Sequence, residues 1–355
     1  MRQLAVLEQM RDALPPIPYP TFRGNWSLPW VSGRYVFEAA AGMRPSRLPN
    51  AALAIMEMKL ALPRVRSLPF VLRLEPTSTC NLRCPRCSTG LGIEPRPKGF
   101  LSLDDADHLI DVLRESVIFV RLDGNGEPLL HPQICTLISR FKAAGIGVVI
   151  SSHFNTMPRE GVEALVESGL DRLIVAIDGS TQEVYQRYRR GGELATVLAN
   201  LERFVELKRR SGRRRPVLDL QFLDWGYNRH QIPEMREMAR RFGANRLTVI
   251  RPDYAAAEVK ADPLHPKRCF WLWCVLTVGW DLDVHSCTNA WTYQFPRATL
   301  RTASVRDLWN SEPLVEARRF NRNKKSAAIA GDTGCMCNQC TDMLVIDRPK
   351  GYVCE

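Results

Sequence analysis

The sequence lacks several features, and each absence excludes a class of protein. It has no uncharged stretch of the roughly 18 residues that a membrane-spanning helix needs, and the apolar segments 143–157 and 269–280 both fall short. The composition, with 45% hydrophobic and 25% charged residues, is not that of a disordered, collagen-like or coiled-coil chain. The N-terminus carries neither the apolar core nor the small-residue cleavage site of a secretory signal. We therefore expect a cytoplasmic protein with no membrane span.

Lysine is scarce, because 40 of the 49 basic residues are arginine, and the formal net charge is +11. A basic balance is compatible with a nucleic-acid, membrane-surface or anionic partner, but the arginines are spread along the whole chain. The one dense cluster, at 208–215, lies where a helix should end, and cations there complement the helix dipole. We interpret it as a solvated helix end, and charge alone does not indicate nucleic-acid binding.

The middle of the chain alternates short apolar runs with helical patterns. Strands are predicted at 70–75, 117–122, 147–152, 172–178, 217–223 and 246–251. Because strands alternating with helices build a parallel sheet covered by helices, six such units predict an α/β fold, a partial (β/α)6 barrel with its chemistry at the carboxyl ends of the strands. We divide the chain into an N-terminal extension at 1–68, this barrel at 69–255 and a small Cys-rich domain at 256–355.

Cysteine is the informative residue. Eleven cysteines are many for a reducing compartment, and an odd number does not pair off as disulfides. Nine of them form three groups: Cys80, Cys84 and Cys87; Cys269, Cys274 and Cys287; Cys335, Cys337 and Cys340. Only Cys135 and Cys354 stand apart. Grouped cysteines in a cytosolic chain indicate metal binding.

The first group follows the first predicted strand with the spacing C-x3-C-x2-C. Three thiolates on one loop cannot fill the four iron corners of a [4Fe–4S] cluster, so one iron would stay open for a small ligand. The alternative is a zinc loop with a fourth ligand elsewhere, although zinc pairs usually have C-x2-C spacing. This loop, with Asn81 after its first cysteine, resembles that of the radical S-adenosylmethionine (radical SAM) enzymes.

A second match to that family follows the second strand, in the segment 123–132 with Gly124, Gly126 and Glu127. It is similar to the family's glycine-glycine-glutamate segment, in which glycines let the backbone approach the methionine part of SAM. The resemblance covers about 70–252. It implies that the open iron binds SAM and that the reduced cluster cleaves it to a 5′-deoxyadenosyl radical, with the protein positioning the cofactor.

The resemblance also implies which residues contact SAM. The candidates are Gly124, Gly126, Glu127, Ser151, Asn155, Asp178 and Arg189. Three have a structural alternative, because Asn155 can form a turn, Asp178 can cap a helix and Arg189 can be a surface charge. Arg86 departs from the family, which usually has an aromatic residue before the third cysteine. A guanidinium plane can also stack on a base, so the role can survive.

The order of the C-terminal cysteines is similar to that in the auxiliary-cluster domains of the same family, which are called SPASM domains or, when shortened, twitch domains. Cys269, Cys287, Cys337 and Cys340 fit the family's order and would saturate one auxiliary [4Fe–4S] cluster. Cys335 can replace Cys337, and a four-cysteine zinc site is the alternative. With no further cysteine pair we favour the one-cluster twitch form.

No catalytic residue follows from the sequence. Cys274 or Cys354 can return a hydrogen atom to a substrate radical, but a lone cysteine is more often a small buried hydrophobe.

Three functions remain open. The first is a radical SAM oxidoreductase or modifying enzyme acting on a small molecule, such as a sugar, aminocyclitol or natural-product intermediate, with the auxiliary cluster carrying an electron or orienting the substrate. The second is a peptide-modifying radical SAM maturase, and the third is a zinc- and nucleic-acid-binding protein. In the first two, a reductase such as flavodoxin or ferredoxin is the expected partner.

Overall fold

The computed structural model describes residues 44–94, 96–250, 269–285 and 299–322, with the backbone of Val353–Cys354. Nine strands form one sheet: β1 Val71–Leu74, β2 Phe119–Leu122, β3 Gly147–Ser152, β4 Arg172–Ala176, β5 Val217–Leu223, β6 Arg246–Ile250, β7 Val275–Val278, β8 Val284–His285 and β9 Val353–Cys354. Their order across the sheet is β8-β7-β1-β2-β3-β4-β5-β6-β9. Within the described chain the two edge strands do not pair with each other, so the barrel is unclosed.

The helices are α1 Leu48–Lys59, α2 Ser88–Leu91, α3 Leu103–Leu113, α4 Ile134–Ala143, α5 Val162–Glu167, α6 Gln182–Tyr188, α7 Leu194–Arg210, α8 Ile232–Arg241, α9 Phe270–Cys274, α10 Val305–Trp309 and α11 Glu312–Arg322. Single turns of 3-10 helix lie at Pro45–Arg47, Pro128–Leu130 and Arg229–Gln231. None of the helices in the described part of the chain is both long and apolar enough to cross a membrane.

The six predicted strands are all present, and they are parallel neighbours in chain order. The α/β fold with an unclosed (β/α) barrel is therefore confirmed. The structure adds a seventh parallel strand, because β7 pairs with β1 in the register Val71↔Val275. The C-terminal segment thus contributes a strand to the main sheet. Our division of the chain at 68 and 255 stays a prediction.

Local sequence signals fix the helix ends. The Ser102 hydroxyl accepts a hydrogen bond of 3.0 Å from the Asp105 amide and so caps the first turn of α3. At the other end of a helix, Gly243 follows α8 with φ = +56°, the left-handed conformation in which glycine has no Cβ penalty. The apolar stripe of α7 is buried, as the spacing of Leu194, Val197 and Leu201 predicts.

The last part of the predicted N-terminal extension packs on the barrel. Arg47 is fully buried and donates three hydrogen bonds to backbone carbonyl oxygens, those of Arg114, Ala144 and Gly145. The Trp273 indole donates a 2.9 Å hydrogen bond to the Leu62 carbonyl, which ties the end of this segment to α9. Because buried polar groups are costly when unpaired, these bonds fix α1 beside the sheet.

The two faces of the sheet differ in chemistry. Side chains alternate along a strand, so residues in register lie on the same face. One face carries mostly apolar side chains, among them Leu72, Leu74, Val120, Leu122, Val148, Ile150, Leu173, Leu218 and Leu220. The other carries the register pair Arg73↔Arg121, and further along it Arg172, Asp219 and Thr248. In a (β/α) barrel the helices cover the outer face, so the polar row lines the interior.

Candidate cluster and SAM site

The three cysteines of the first group lie on the loop that leaves the carboxyl end of β1. Cys84 is buried, and Cys80 and Cys87 are half-buried. The Cys87 amide donates a 3.2 Å hydrogen bond to the Cys84 carbonyl, and Cys87 then forms the N-cap of α2. The Leu82 amide lies 3.4 Å from the Cys80 sulfur and donates to it. The strand end and the short helix therefore hold the three thiols on one short loop, with Cys84 buried and the other two half-buried.

The electrostatics of these thiols fit metal binding that displaces protons. Burial raises the pKa of the Cys80 thiol to about 12, and the Glu127, Cys84 and Cys87 side chains add to the rise. Burial also raises the pKa of Cys84, against the Arg189 guanidinium beside it, which lowers that pKa. The metal-free Cys80 and Cys84 thiols are therefore neutral at pH 7, and binding of iron has to release their protons.

In the described ranges, no group of three or more Cys, His, Asp or Glu side chains is arranged so that it could bind a single metal ion. A cubane cluster does not need that arrangement, since each cysteine binds a different iron corner. The spacing of the three cysteines and the partial exposure of Cys80 and Cys87 fit an iron–sulfur cluster better than a single zinc ion. A cluster bound here would supply an electron, and the three cysteines of the loop would hold it.

The glycine segment packs directly on the cysteine loop. A Cβ added to Gly126 would lie 2.0 Å from the Thr77 carbonyl oxygen and 2.7 Å from that of Thr79. The next residue, Glu127, donates its amide to the Thr79 carbonyl over 2.7 Å. A Cβ on Gly124 would meet the Glu75 side chain at 2.7 Å. The two predicted motifs therefore lie together because glycines allow their backbones to touch.

The Glu127 carboxylate is buried, and its polar contacts are to groups of the protein itself. It accepts hydrogen bonds of 3.0 Å from the Leu129 amide and of 3.0 Å from the His153 amide. The His153 ring nitrogen Nε2 lies 3.2 Å from the same carboxylate. Burial lowers the pKa of His153, and the nearby Arg189 lowers it further while Glu127 opposes the shift. Glu127 thus connects the glycine segment to the end of β3.

Asp178 and Arg189 form a buried ion pair beside the cluster loop. The Arg189 Nε lies 2.6 Å from Asp178 Oδ2, and the Leu223 amide donates to Asp178 Oδ1 over 2.7 Å. Burial raises the pKa of Asp178, although Arg189 opposes the shift. Since the guanidinium also lies beside the Cys84 thiol, a carboxylate or ribose hydroxyl near the cluster would meet a fixed cation.

Ser151 and Asn155, the two predicted SAM contacts on β3 and the loop after it, have different surroundings. Ser151 lies half-buried in the interior-facing row of β3. Asn155 is committed to the protein, because its side chain donates to the Tyr185 hydroxyl over 2.5 Å and accepts from the Glu193 amide over 2.7 Å. In this structure Asn155 therefore joins the loop after β3 to the segment between α6 and α7.

Arg86 lies over Trp225, with its guanidinium carbon 5.5 Å from the centre of the ring. Trp225 follows β5, and its ring centre is 4.5 Å from that of Tyr188. The sequence did not single out either aromatic residue. The available signal was that Trp225 lies two residues after the carboxyl end of a predicted strand, where barrel chemistry lies.

A buried ionic network surrounds Glu75 at the carboxyl end of β1 and lies close to Gly279 in the C-terminal segment. Glu75 is fully buried, and Arg96 bonds both of its oxygens at 3.0 and 2.9 Å. The Asn125 amide also donates to Glu75 over 3.1 Å, and its side chain donates to Glu94 over 2.5 Å. A Cβ on Gly279, just after β7, would lie 2.9 Å from the Arg96 guanidinium. Arg96 therefore joins Glu75 to Glu94 and leaves no room for a side chain at position 279.

Of the auxiliary cysteines, only Cys269 has a described side chain. It is half-buried at the N-cap of α9, and its amide donates to Asn321 on α11 over 3.3 Å. Cys287, Cys335, Cys337 and Cys340 lie outside the described residues. Cys274 is fully buried, and burial raises the pKa of its thiol. Cys354 is described only as backbone, where it pairs with Thr248.

Comparison with known proteins identifies two domains. Residues 74–239 match the radical SAM superfamily, and residues 269–341 match the SPASM iron-sulfur cluster-binding domain. Both contain the cysteine groups described above.

The chain is similar in sequence to several curated proteins, of which two are described here. The chain is 32% identical over 135 residues to AdoMet-dependent heme synthase of Methanosarcina barkeri, covering 38% of each chain. It is 29% identical over 199 residues to mycofactocin maturase MftC of Mycobacterium ulcerans, covering 56% of this chain and 52% of that protein. The chain thus matches about half or less of the length of these relatives.

Solved structures share the fold. The structure of Streptococcus suis SuiB bound to the precursor peptide SuiA aligns over 90% of this chain and 78% of SuiB, with a TM-score of 0.58 and 14% identity. BtrN in complex with AdoMet and 2-DOIA aligns over 78% of this chain and 94% of BtrN, with a TM-score of 0.50 and 13% identity. The chain therefore contains a radical SAM domain and a C-terminal SPASM domain, and those domains imply SAM, a [4Fe–4S] cluster and auxiliary iron–sulfur binding.

Proposed function

We propose that this radical SAM enzyme cleaves SAM reductively and uses the 5′-deoxyadenosyl radical to take a hydrogen atom from a small polar molecule inside the barrel. The observation that carries the first part is the contact between the cysteine loop and the glycine segment, which touch at Gly126. Around that contact, Asp178 and Arg189 supply a fixed charge pair 2.6 Å apart. These groups bind and orient SAM.

The chemistry of the barrel interior supports a small polar substrate. Asp123 bridges two neighbouring strands, with Arg73 Nε 2.8 Å from Oδ1 and Arg121 Nε 2.9 Å from Oδ2. Deeper along the same face, Asp219 pairs with Arg172 and accepts from the Thr248 hydroxyl over 2.9 Å. Buried charges are costly unless they are paired and hydrogen-bonded, so an ionic lining suits a substrate that brings hydroxyl, amine or carboxyl groups. Sugars, aminocyclitols and similar natural-product intermediates have these groups.

A second candidate is modification of a peptide. It is favoured by the likeness to mycofactocin maturase, which extends over 199 residues of this chain.

The test is anaerobic SAM cleavage with the iron-reconstituted enzyme. With dithionite and SAM, we expect the wild type to form 5′-deoxyadenosine and the Cys84→Ala variant to form none. Wild type without any cleavage would contradict the first part of the proposal. The same assay, repeated with added aminocyclitols and sugars or with ribosomally encoded peptides, distinguishes the substrate classes. Stimulation by peptides alone would replace the small-molecule proposal with the second candidate.

A further inference from the structure

Trp280 belongs to the SPASM domain and lies in the turn between β7 and β8. Its ring lies against the segment that follows the cysteine loop in the chain. We propose that Trp280 is a positioning residue, through which the SPASM domain holds the cysteine loop against the glycine segment and so strengthens SAM binding. The inference rests on the proposed function, because it concerns the site at which SAM is held and cleaved.

The turn that carries Trp280 begins beside the cysteine loop. The Glu75 amide donates a 3.0 Å hydrogen bond to the Val278 carbonyl oxygen, so the segments after β1 and β7 leave the sheet side by side. The turn after β7 is tight, because the Leu282 amide donates to the Gly279 carbonyl oxygen over 3.0 Å. The half-buried Trp280 side chain of this turn therefore lies at the carboxyl edge of the sheet, where the cysteine loop starts.

The Trp280 ring packs on the backbone of Gly99. A Cβ added to Gly99 would lie 2.4, 2.5 and 2.5 Å from the ring atoms Cη2, Cζ2 and Cζ3. One carbon–carbon bond of about 1.5 Å separates Cβ from Cα, so these ring atoms lie within about 4 Å of the glycine Cα, in van der Waals contact. Gly99 does not have a positive φ. Position 99 therefore needs glycine because of the Trp280 ring, and not because of a left-handed backbone.

Both backbone polar groups of Gly99 are bonded to the start of the cysteine loop. The Gly99 amide donates to the Ser78 hydroxyl over 3.1 Å. Its carbonyl oxygen accepts from the Thr77 hydroxyl over 2.7 Å and from the Ser78 amide over 3.2 Å. Thr77 and Ser78 are both buried. Because buried polar groups are costly when they are unpaired, a shift of Gly99 moves Thr77 and Ser78 with it.

The same stretch of the cysteine loop contacts the glycine segment. The Thr77 carbonyl oxygen leaves no room for a Cβ at Gly126, and the Thr79 carbonyl oxygen accepts from the Glu127 amide over 2.7 Å. A continuous series of contacts thus leads from Trp280 through Gly99 and the loop to the segment that is predicted to meet SAM. Since close-packed interiors transmit strain, a displacement at Gly99 reaches the glycine segment.

The experiment is a double-mutant cycle on the contact between Trp280 and Gly99. Gly99→Ala places a methyl group against the ring, and Trp280→Leu removes the three ring atoms that this methyl group would meet. Trp309→Leu is the control, because Trp309 is fully buried in the same domain but packs on Arg318 of α11. With iron-reconstituted proteins, calorimetry gives the Kd for SAM. Amide hydrogen exchange at 124–127 without SAM reports how often the glycine segment separates from the cysteine loop.

We expect Gly99→Ala and Trp280→Leu each to raise the Kd for SAM about tenfold and to speed exchange at 124–127, a size of effect found for residues in contact. The double variant should bind SAM no more weakly than Trp280→Leu alone, because the leucine leaves room for the added methyl group. Trp309→Leu should lower the midpoint of urea denaturation but leave the Kd and the exchange unchanged. All four variants should bind as much iron as the wild type.

A change of less than about twofold in the Kd of Trp280→Leu would overturn the proposal. Losses that multiply in the double variant, an equal loss in Trp309→Leu, or loss of iron from Trp280→Leu would also overturn it. If the wild type binds SAM but does not cleave it with dithionite, the proposed function fails, whereas the Kd values and exchange rates still decide the role of Trp280. A wild type that binds no SAM would contradict both.

Discussion

Replacing Gly126 by alanine would drive a methyl group into the backbone of the cysteine loop. The added Cβ would lie 2.0 Å from the Thr77 carbonyl oxygen, and real Cβ contacts stay above 3.0 Å. The glycine segment and the loop must therefore separate by about 1 Å, since a carbonyl cannot move aside as a flexible side chain can. The separation would also break the 2.7 Å bond from the Glu127 amide to the Thr79 carbonyl.

The expected losses of rate and of stability in Gly126→Ala follow from this displacement. A shift of about 1 Å in a group that positions reactants can cost about 100-fold in rate. Overpacking of this kind also lowers the free energy of unfolding by about 1–3 kcal/mol. We therefore expect Gly126→Ala to fold but to cleave SAM about 100-fold more slowly than the wild type.

The assay is 5′-deoxyadenosine formation under anaerobic conditions with dithionite, together with urea denaturation. Gly212→Ala is the matched control, because Gly212 lies at φ = +65° with nothing near its added Cβ. That variant loses about 1–2 kcal/mol from the left-handed backbone alone and should keep the wild-type rate. Cleavage by Gly126→Ala at the wild-type rate, or an equal loss in Gly212→Ala, would refute the reasoning.

Two further predictions concern buried charges. Arg96→Met leaves the fully buried Glu75 carboxylate without its guanidinium partner, so urea denaturation should show a loss of about 3–5 kcal/mol; a loss below 1 kcal/mol would contradict the network. Although burial opposes it, Arg121 and then Arg73 lower the pKa of Asp123 below its usual 3.8. Its stabilising contribution is therefore complete above that value and is lost as the pH falls through the lowered pKa. The difference in unfolding free energy between wild type and Asp123→Asn should shrink below pH 4, and a difference that grew would contradict this sign.

The sequence predicted the six central strands well because buried parallel strands are continuous apolar runs. The ends of β3 and β5 agree residue for residue with the prediction. The seventh strand, Val275–Val278, was missed, since it is four residues long and follows an aromatic run typical of a helix or a loop. Its pairing with β1 joins residues about 200 positions apart, and periodicity carries no information on such pairing.

In the candidate site, too, the sequence predicts some features, and only the structure shows the others. The spacing of Cys80, Cys84 and Cys87 predicts a cluster because the motif is local and chemically specific. The partnership of Glu75 with Arg96 depends on a loop that folds back over the strand end, so no local pattern reveals it. The hydrogen bonds that the Asn155 side chain makes with Tyr185 and with the Glu193 amide also join distant segments, so only the structure reveals them. The roles assigned to Ser151, Asp178 and Arg189 in binding SAM, and those of the auxiliary cysteines, stay predictions.

The central claim is that the Cys80 loop holds the iron–sulfur cluster that cleaves SAM. The most direct measurement counts iron and 5′-deoxyadenosine in anaerobically reconstituted wild type and in the Cys80→Ala/Cys84→Ala/Cys87→Ala variant. We predict a [4Fe–4S] signal in both proteins, about half the wild-type iron in the variant, and SAM cleavage by the wild type alone. A wild type without an iron–sulfur cluster, or a variant that cleaves SAM as fast as the wild type, would contradict the account.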